Sequence, residues 1–212
     1  MKYIIMCGGT YSAWQAPRQL TTVHGETLVD RTIRLLREEG VKRIAISATD
    51  ERFRHFGVPV LSHNNTMAVS KAGVVGCWVD AFYPTIEPAC YLMGDVVFSP
   101  EAIRTIVQTK TDSIQFFASR PPFPEIYPKH HAEPFAFKVY DQVRFRAAID
   151  FVRANVRTGI FCRHPIAWEL WQVINGWDVK EINYGSYATI NDYTCDIDSV
   201  DDARKMEEVI GT

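Results

Sequence analysis

The chain has 212 residues, of which 47% are apolar and 12% aromatic, so it can bury a sizeable core; with only 23% charged, general disorder is excluded. Lys plus Arg total 23 against 25 Asp plus Glu, a formal charge of -2, and no basic stripe interleaved with aromatics runs along the chain, which argues against a nucleic-acid-binding surface. No apolar run approaches the ~18 to 20 residues that span a bilayer, and the opening residues Met1 to Cys7 lead into two glycines instead of a small-residue cleavage site. A single cytoplasmic domain is therefore expected.

Tyr3 to Cys7 is a continuous apolar run ending at Gly8-Gly9, the pattern of a buried central strand. From Thr27 to Glu39 a helix is predicted, with Leu28, Val29, Thr32, Ile33, Leu35 and Leu36 on one face, a capping pair at Thr27 and Asp30, and Gly40 as the stop. Arg43 to Ala48 alternates as a strand, Asp50 to Phe56 reads as a short helix, and Val58 to Leu61 as a further extended piece. Met67 to Phe82 carries small and apolar residues at helical spacing and predicts a helix. Ala89 to Met93 is a strand running into Gly94-Asp95, and Ser99-Pro100-Glu101 opens a helix whose buried stripe is Ile103, Ile106 and Val107.

Ser113 to Ala118 reads as a strand. Arg120 to Pro134 holds five prolines and adjacent histidines, His130 and His131, and so predicts a loop. Phe135 to Tyr140 reads as a strand, Gln142 to Arg157 and Pro165 to Ile174 as helices, and Ser199 with Asp202 as a capping box ahead of Ala203, Met206, Val209 and Ile210. Strands alternating with helices predict an α/β fold with a mostly parallel mixed sheet flanked by helices on both faces. The five cysteines, Cys7, Cys77, Cys90, Cys162 and Cys195, lack the spacing of a metal site and read as reduced thiols without a role. Trp168, Trp171 and Trp177 read as packing residues.

Three segments carry candidate chemistry. The stretch Met6-Cys7-Gly8-Gly9-Thr10 leaves a strand through two glycines, which either make a tight turn or let backbone N–H groups approach a polyphosphate. It matches neither GxxxxGK[ST] nor GxGxxG. Asp95 ends a buried apolar strand, where a carboxylate must cap a turn, be hydrated, or sit on a cation such as Mg²⁺. Asp196 and Asp198 point to one side of an extended segment, either as helix caps or as ligands of one cation.

In this order the pieces resemble the nucleotidyltransferase family with the GT-A type fold, which includes sugar-phosphate nucleotidylyltransferases and the cytidylyltransferases that activate sugar acids. Cys7-Gly8-Gly9-Thr10 and Pro17-Arg18-Gln19-Leu20 are similar to the family's GGxGxR loop and its following Pro-Lys. Gly25-Glu26-Thr27-Leu28 is similar to the stretch that opens the first helix. Gly94-Asp95 and Asp196-Ile197-Asp198-Ser199-Val200-Asp201-Asp202 are similar to the central metal-binding aspartate and the closing aspartate motif. Tyr11 stands in place of the third glycine, Ala13 in place of the arginine, and Arg18 in place of the lysine, so Arg18 carries more of the positive potential.

The resemblance implies a nucleotidyl transfer from an NTP to a sugar phosphate or sugar acid, with Mg²⁺ held by Asp95, Asp198 and Asp196. It implies that Gly8, Gly9 and Thr10 cradle the triphosphate through backbone donors, while Arg18 stabilises the leaving group. Asn65, in Ser62-His63-Asn64-Asn65-Thr66, is either a turn residue or a reader of the base edge, and Lys71 is an anion-contact candidate. Residues 119–190 would form the acceptor-side lobe, where Lys138 is the candidate for an anionic acceptor group; Arg120, His130 and His131 fall on the loop of that lobe. A homodimer is compatible with all of this. Two alternatives stay open: a GT-A glycosyltransferase using a nucleotide sugar, against which the missing DxD spacing after Asp95 speaks, and a nucleotide-binding module without turnover.

Overall fold

The computed structural model describes residues 1–11, 16–120 and 132–210. In chain order the first elements are β1 (Lys2–Met6), β2 (Thr10–Tyr11), a 3-10 turn at Arg18–Leu20, β3 (Thr22–Val23), β4 (Glu26–Thr27), α1 (Leu28–Glu38) and β5 (Ile44–Ala48). There follow a 3-10 segment at Glu51–His55, β6 (Val60–Ser62), β7 (Ala68–Ser70), β8 (Gly73–Val75), a 3-10 turn at Trp78–Ala81, β9 (Ala89–Met93), β10 (Val96–Val97) and α2 (Pro100–Gln108). The remainder is β11 (Ile114–Ala118), β12 (Pro134–Val139), α3 (Gln142–Asn155), α4 (Ala167–Asn175), β13 (Ala188–Thr189), β14 (Cys195–Asp196) and α5 (Val200–Ile210).

The main sheet has seven strands in the order β13-β11-β12-β9-β1-β5-β6. β1 runs parallel to β5 and β9, β5 to β6, and β11 to β13. Only β12 is reversed, antiparallel to both β11 and β9. Every residue of β5 and β9 is buried, as strands covered on both faces require. The expected mostly parallel sheet with flanking helices is therefore the observed one, with α1 packed on α2 and α3 on α4.

Local chemistry explains most boundaries. Thr27 Oγ1 accepts the Asp30 N–H at 3.0 Å and donates to the Asp30 carboxylate at 2.9 Å, closing the first turn of α1. Ser99 Oγ caps α2 by accepting the Ala102 N–H at 2.9 Å, with proline at the first helical position. At α5 the capping box is reciprocal: the Asp202 N–H donates to Ser199 Oγ at 3.2 Å and the Ser199 N–H to Asp202 Oδ2 at 2.8 Å.

The expectation of a helix over Met67 to Phe82 is corrected. The segment forms the antiparallel pair β7–β8 followed by the 3-10 turn. Val69, Val74 and Val75 are β-branched and favour extended backbone, and the Ser70 hydroxyl turns the chain by accepting the Ala72 N–H at 3.2 Å. The core gathers the aromatics: Phe116 stacks on Phe137 at 4.4 Å between ring centroids and meets Trp168 edge-on at 5.0 Å. Trp168 and Trp171 are buried, and Trp177 lies 6.3 Å from Trp171, so all three pack as expected.

Candidate active site

The carboxyl ends of the parallel strands open into a cleft whose lining includes Gly8, Gly9, Arg18, Asn65, Gly94, Asp95, Asp196 and Asp198. A second cavity lies across the glycine turn, lined by Gly8, Gly9, Thr10, Arg18 and Asn65 together with Asp50 and Arg52. Arg18, Gly8, Gly9 and Asn65 thus stand on the partition between the two. Ligands of open α/β sheets collect at this end of the strands.

Two close approaches explain two of the glycines. A Cβ on Gly8 would lie 2.7 Å from Asn65 Nδ2, and one on Gly94 would lie 2.3 Å from the Met6 carbonyl oxygen. Gly94 also donates its N–H to that carbonyl at 3.1 Å, which draws the turn carrying Asp95 against the end of β1. Asn65 is oriented by its own loop, its Oδ1 accepting the Met67 N–H at 2.9 Å.

The middle and the end of the chain meet through a short ribbon in which β10 pairs antiparallel with β14, Val96 opposite Asp196. The Ile197 N–H donates to the Asp95 carbonyl at 2.8 Å. Asp198 is steadied by the α5 cap, its N–H donating to Asp202 Oδ2 at 3.0 Å. Into this junction reaches Arg18, only 6% exposed, donating to Asp95 Oδ2 at 2.5 Å, to Asp198 Oδ1 at 2.6 Å and to the Ile197 carbonyl at 3.2 Å. Asp95 and Asp198, 103 positions apart, therefore share one cation. A fixed guanidinium between two carboxylates satisfies the requirement that buried charge be paired.

The donor set fits a hard divalent ion. Asp95, Asp196 and Asp198 present oxygen ligands to the same cleft, while among the described residues no group of three His, Cys, Asp or Glu side chains is close enough to hold an ion by itself. Mg²⁺, for which one or two carboxylates suffice when water and phosphate oxygens complete the shell, is compatible with these residues. Cys7 borders the site, but burial first and the Asp95 charge second push its thiol well above its usual range, so it stays neutral.

Other expected site residues fall elsewhere. Thr10 lines the second cavity, and its backbone N–H donates to the Met67 carbonyl at 3.2 Å in the β2–β7 pairing, so that one donor is engaged within the protein. Lys138 is corrected outright. It pairs with Cys90 near the start of β9, the end of the sheet away from Asp95. Its Nζ donates to the carbonyls of Ile106, Val107 and Thr109 at 2.9, 2.9 and 2.7 Å, closing the C-terminal turn of α2. Burial holds its ammonium below the usual lysine range. Lys71 is exposed on the β7–β8 turn and Arg120 is exposed beyond β11; neither lines the cleft. Ala13, His130 and His131 lie outside the described residues.

The structure adds Gln19, from the Pro17-Arg18-Gln19-Leu20 stretch, and cleft residues without a motif signal: Met67, Trp78, Glu133, Pro134 and Ile166. The last five belong to no spaced motif, and each reaches the cleft through tertiary packing.

Residues 3–150 match the model of the MobA-like NTP transferase domain. The chain belongs to this family, and it is an enzyme of the nucleotidyltransferase class. No curated protein matches it. Among solved structures it is similar to a protein described as a glucose-1-phosphate thymidylyltransferase from Bacillus anthracis (TM-score 0.57, 13% identity, covering 98% of this chain and 94% of that one). It is also similar to CTP:phosphocholine cytidylyltransferase from Streptococcus pneumoniae (TM-score 0.53, 15% identity, 99% and 98% covered). A third is 4-diphosphocytidyl-2C-methyl-D-erythritol synthase from Anaerococcus prevotii (TM-score 0.55, 12% identity, 100% and 99% covered). At these identities the likeness establishes the fold. No described helix is long and apolar enough to cross a membrane.

Proposed function

We propose that the chain catalyses Mg²⁺-dependent nucleotidyl transfer from an NTP to a sugar phosphate or sugar acid, releasing pyrophosphate. An oxygen of the acceptor forms a bond to the α-phosphorus as the α–β anhydride bond breaks, and pyrophosphate departs with that bonding pair. When the nucleophile is a phosphate already ionised at neutral pH, no protein base is needed. The observation that carries this reading is the Arg18 guanidinium shared by Asp95 and Asp198 beside the Gly8-Gly9 turn.

Asp95 and Asp198, with Asp196 nearby, would hold the Mg²⁺, which when bound supplies charge neutralisation on the transferring phosphate. Arg18 lines both cavities and would place positive charge where the triphosphate passes between them, stabilising the leaving group. Gly8 and Gly9 would admit the phosphates close to the backbone, and Asn65 would face the base. The chain's own work is positioning and electrostatic stabilisation, which is most of what this type of transfer asks of a protein. Residues 119–190 would supply the acceptor side.

The test is a panel of the common NTPs and Mg²⁺ with sugar phosphates and sugar acids, reading pyrophosphate. Acceptor-dependent pyrophosphate is the expected result. Nucleoside diphosphate released from a nucleotide sugar, or nucleotide binding with no product from any acceptor, would overturn the proposal.

A further inference from the structure

Asn65 reaches the partition between the two cavities from a segment that belongs to no helix or strand, His63 to Met67. Its amide is nonetheless set firmly against the glycine turn. Asn65 Oδ1 accepts the Met67 N–H at 2.9 Å, which turns Nδ2 towards Gly8 and Gly9, 2.7 and 3.6 Å from where their Cβ atoms would be. On one side the segment is anchored by the Thr10 N–H, which donates to the Met67 carbonyl at 3.2 Å. A segment with no ladder of its own samples many backbone states unless it is also held from outside.

The other hold comes from the 3-10 turn Trp78–Ala81, and Asp80 is its centre. Through Oδ2 the Asp80 carboxylate accepts from the hydroxyl of Thr66, the neighbour of Asn65; through Oδ1 it accepts from Arg153 Nε of α3 at 2.8 Å. Its backbone carbonyl accepts the His63 Nε2–H at 2.5 Å. Asp80 thus grips the segment on both sides of Asn65. The Thr66 hydroxyl in turn accepts the Cys77 N–H at 3.2 Å, and a Cβ on Gly76 would lie 2.0 Å from the Thr66 carbonyl oxygen, so the segment lies directly on the chain that leads into the turn. The same turn packs against α3, while its Trp78 and Ala81 line the cleft. The Asp80 side chain is 14% exposed and that of Arg153 50%. Removing the carboxylate therefore returns the arginine to solvent at little cost, and the main loss falls on Thr66.

We propose that Asp80 is a positioning residue for nucleotide binding: through Thr66 and His63 it keeps Asn65 on the glycine turn, and Arg153 orients its carboxylate from α3. This rests on the transferase reading above and names what holds one wall of that site. The partners of Asp80 are Thr66, His63 and Arg153, none of which holds metal or meets the reacting phosphate in that reading, so the effect belongs in nucleotide affinity and not in the chemical step. Its size follows from population: a segment in place about one-tenth of the time binds about tenfold more weakly.

Calorimetry on the full chain with Mg²⁺ and the α,β-methylene analogues of the common NTPs tests this, with kcat, NTP KM, acceptor KM and thermal midpoint measured alongside. Asp80→Asn and Thr66→Val should weaken nucleotide binding and raise NTP KM by about tenfold, with kcat and acceptor KM within about twofold of the wild type. Thr66→Ser keeps the hydroxyl and should restore wild-type affinity. In an Asn65→Ala background, Asp80→Asn should add nothing further to NTP KM, because the two act through one contact; a residue that only stabilised the fold would add its full effect there. Unchanged nucleotide affinity in Asp80→Asn, full additivity with Asn65→Ala, or a loss confined to acceptor KM or to the thermal midpoint would overturn the proposal. Nucleotide binding with no pyrophosphate from any acceptor would end the transferase reading, yet the calorimetry would still decide the role of Asp80. A wild type that binds none of the analogues would overturn both.

Discussion

Two buried cations sit at opposite ends of the same sheet and do different work. Arg18, 6% exposed, reaches into the cleft and joins the carboxylates of Asp95 and Asp198. Lys138, 4% exposed, lies at the other end of β12 and closes the last turn of α2 through three carbonyls. The partners of Arg18 are ionic and face a cleft, so an incoming metal ion or phosphate can compete for either side of the pairing. Those of Lys138 are backbone dipoles with no route for exchange. What a buried positive charge does is thus decided by what faces it and whether that partner opens on a cavity.

The sharpest way to break this contrast is Asp95→Ala, which should cut pyrophosphate release by at least about 10²-fold, the scale of losing a preorganised charge contact. Circular dichroism should remain native, since Arg18 keeps Asp198; normal turnover would remove Asp95 from the site. Arg18→Ala comes next. It leaves two carboxylates facing each other and should lower unfolding free energy by about 2 kcal/mol, below the ~3 to 5 of fully buried pairs because Asp198 is 53% exposed. Millimolar Mg²⁺ should restore part of that loss in thermal melts of the variant; a variant insensitive to Mg²⁺ would show that the two acids do not share a cation site.

Lys138→Met should cost roughly 1 to 2 kcal/mol in urea unfolding, as carbonyls at the end of α2 lose their donor, with acceptor KM unchanged. A raised acceptor KM with unaltered stability would return Lys138 to the site and erase the contrast with Arg18. The smallest effect is expected from Ser199→Ala, about 1 kcal/mol for the lost cap, read in the same unfolding experiment. Because Asp202 also anchors Asp198, a detectable fall in turnover should accompany it.

Motifs in this chain are legible where the physics behind them is local. Thr27 with Asp30, Ser99 with Pro100, and Ser199 with Asp202 are decided within a turn of chain, and each is observed as a cap. Asp95 and Asp198 were legible because each ends or follows a short apolar strand and the two fall in the order that the family resemblance expects. Met67 to Phe82 misled because small and apolar residues fit a helix or a hairpin equally, and the choice was made by pairing of β7 with β2 and β8.

By itself the chain's order of residues determined an α/β fold, its helix starts and the glycine turn after the first strand, since burial periodicity and capping act over a few residues. Only the tertiary structure decided the direction of β12. Strand direction depends on long-range pairing that no local pattern encodes, and reversing that one strand sends Lys138 to the far end of the sheet and brings Glu133 to the cleft.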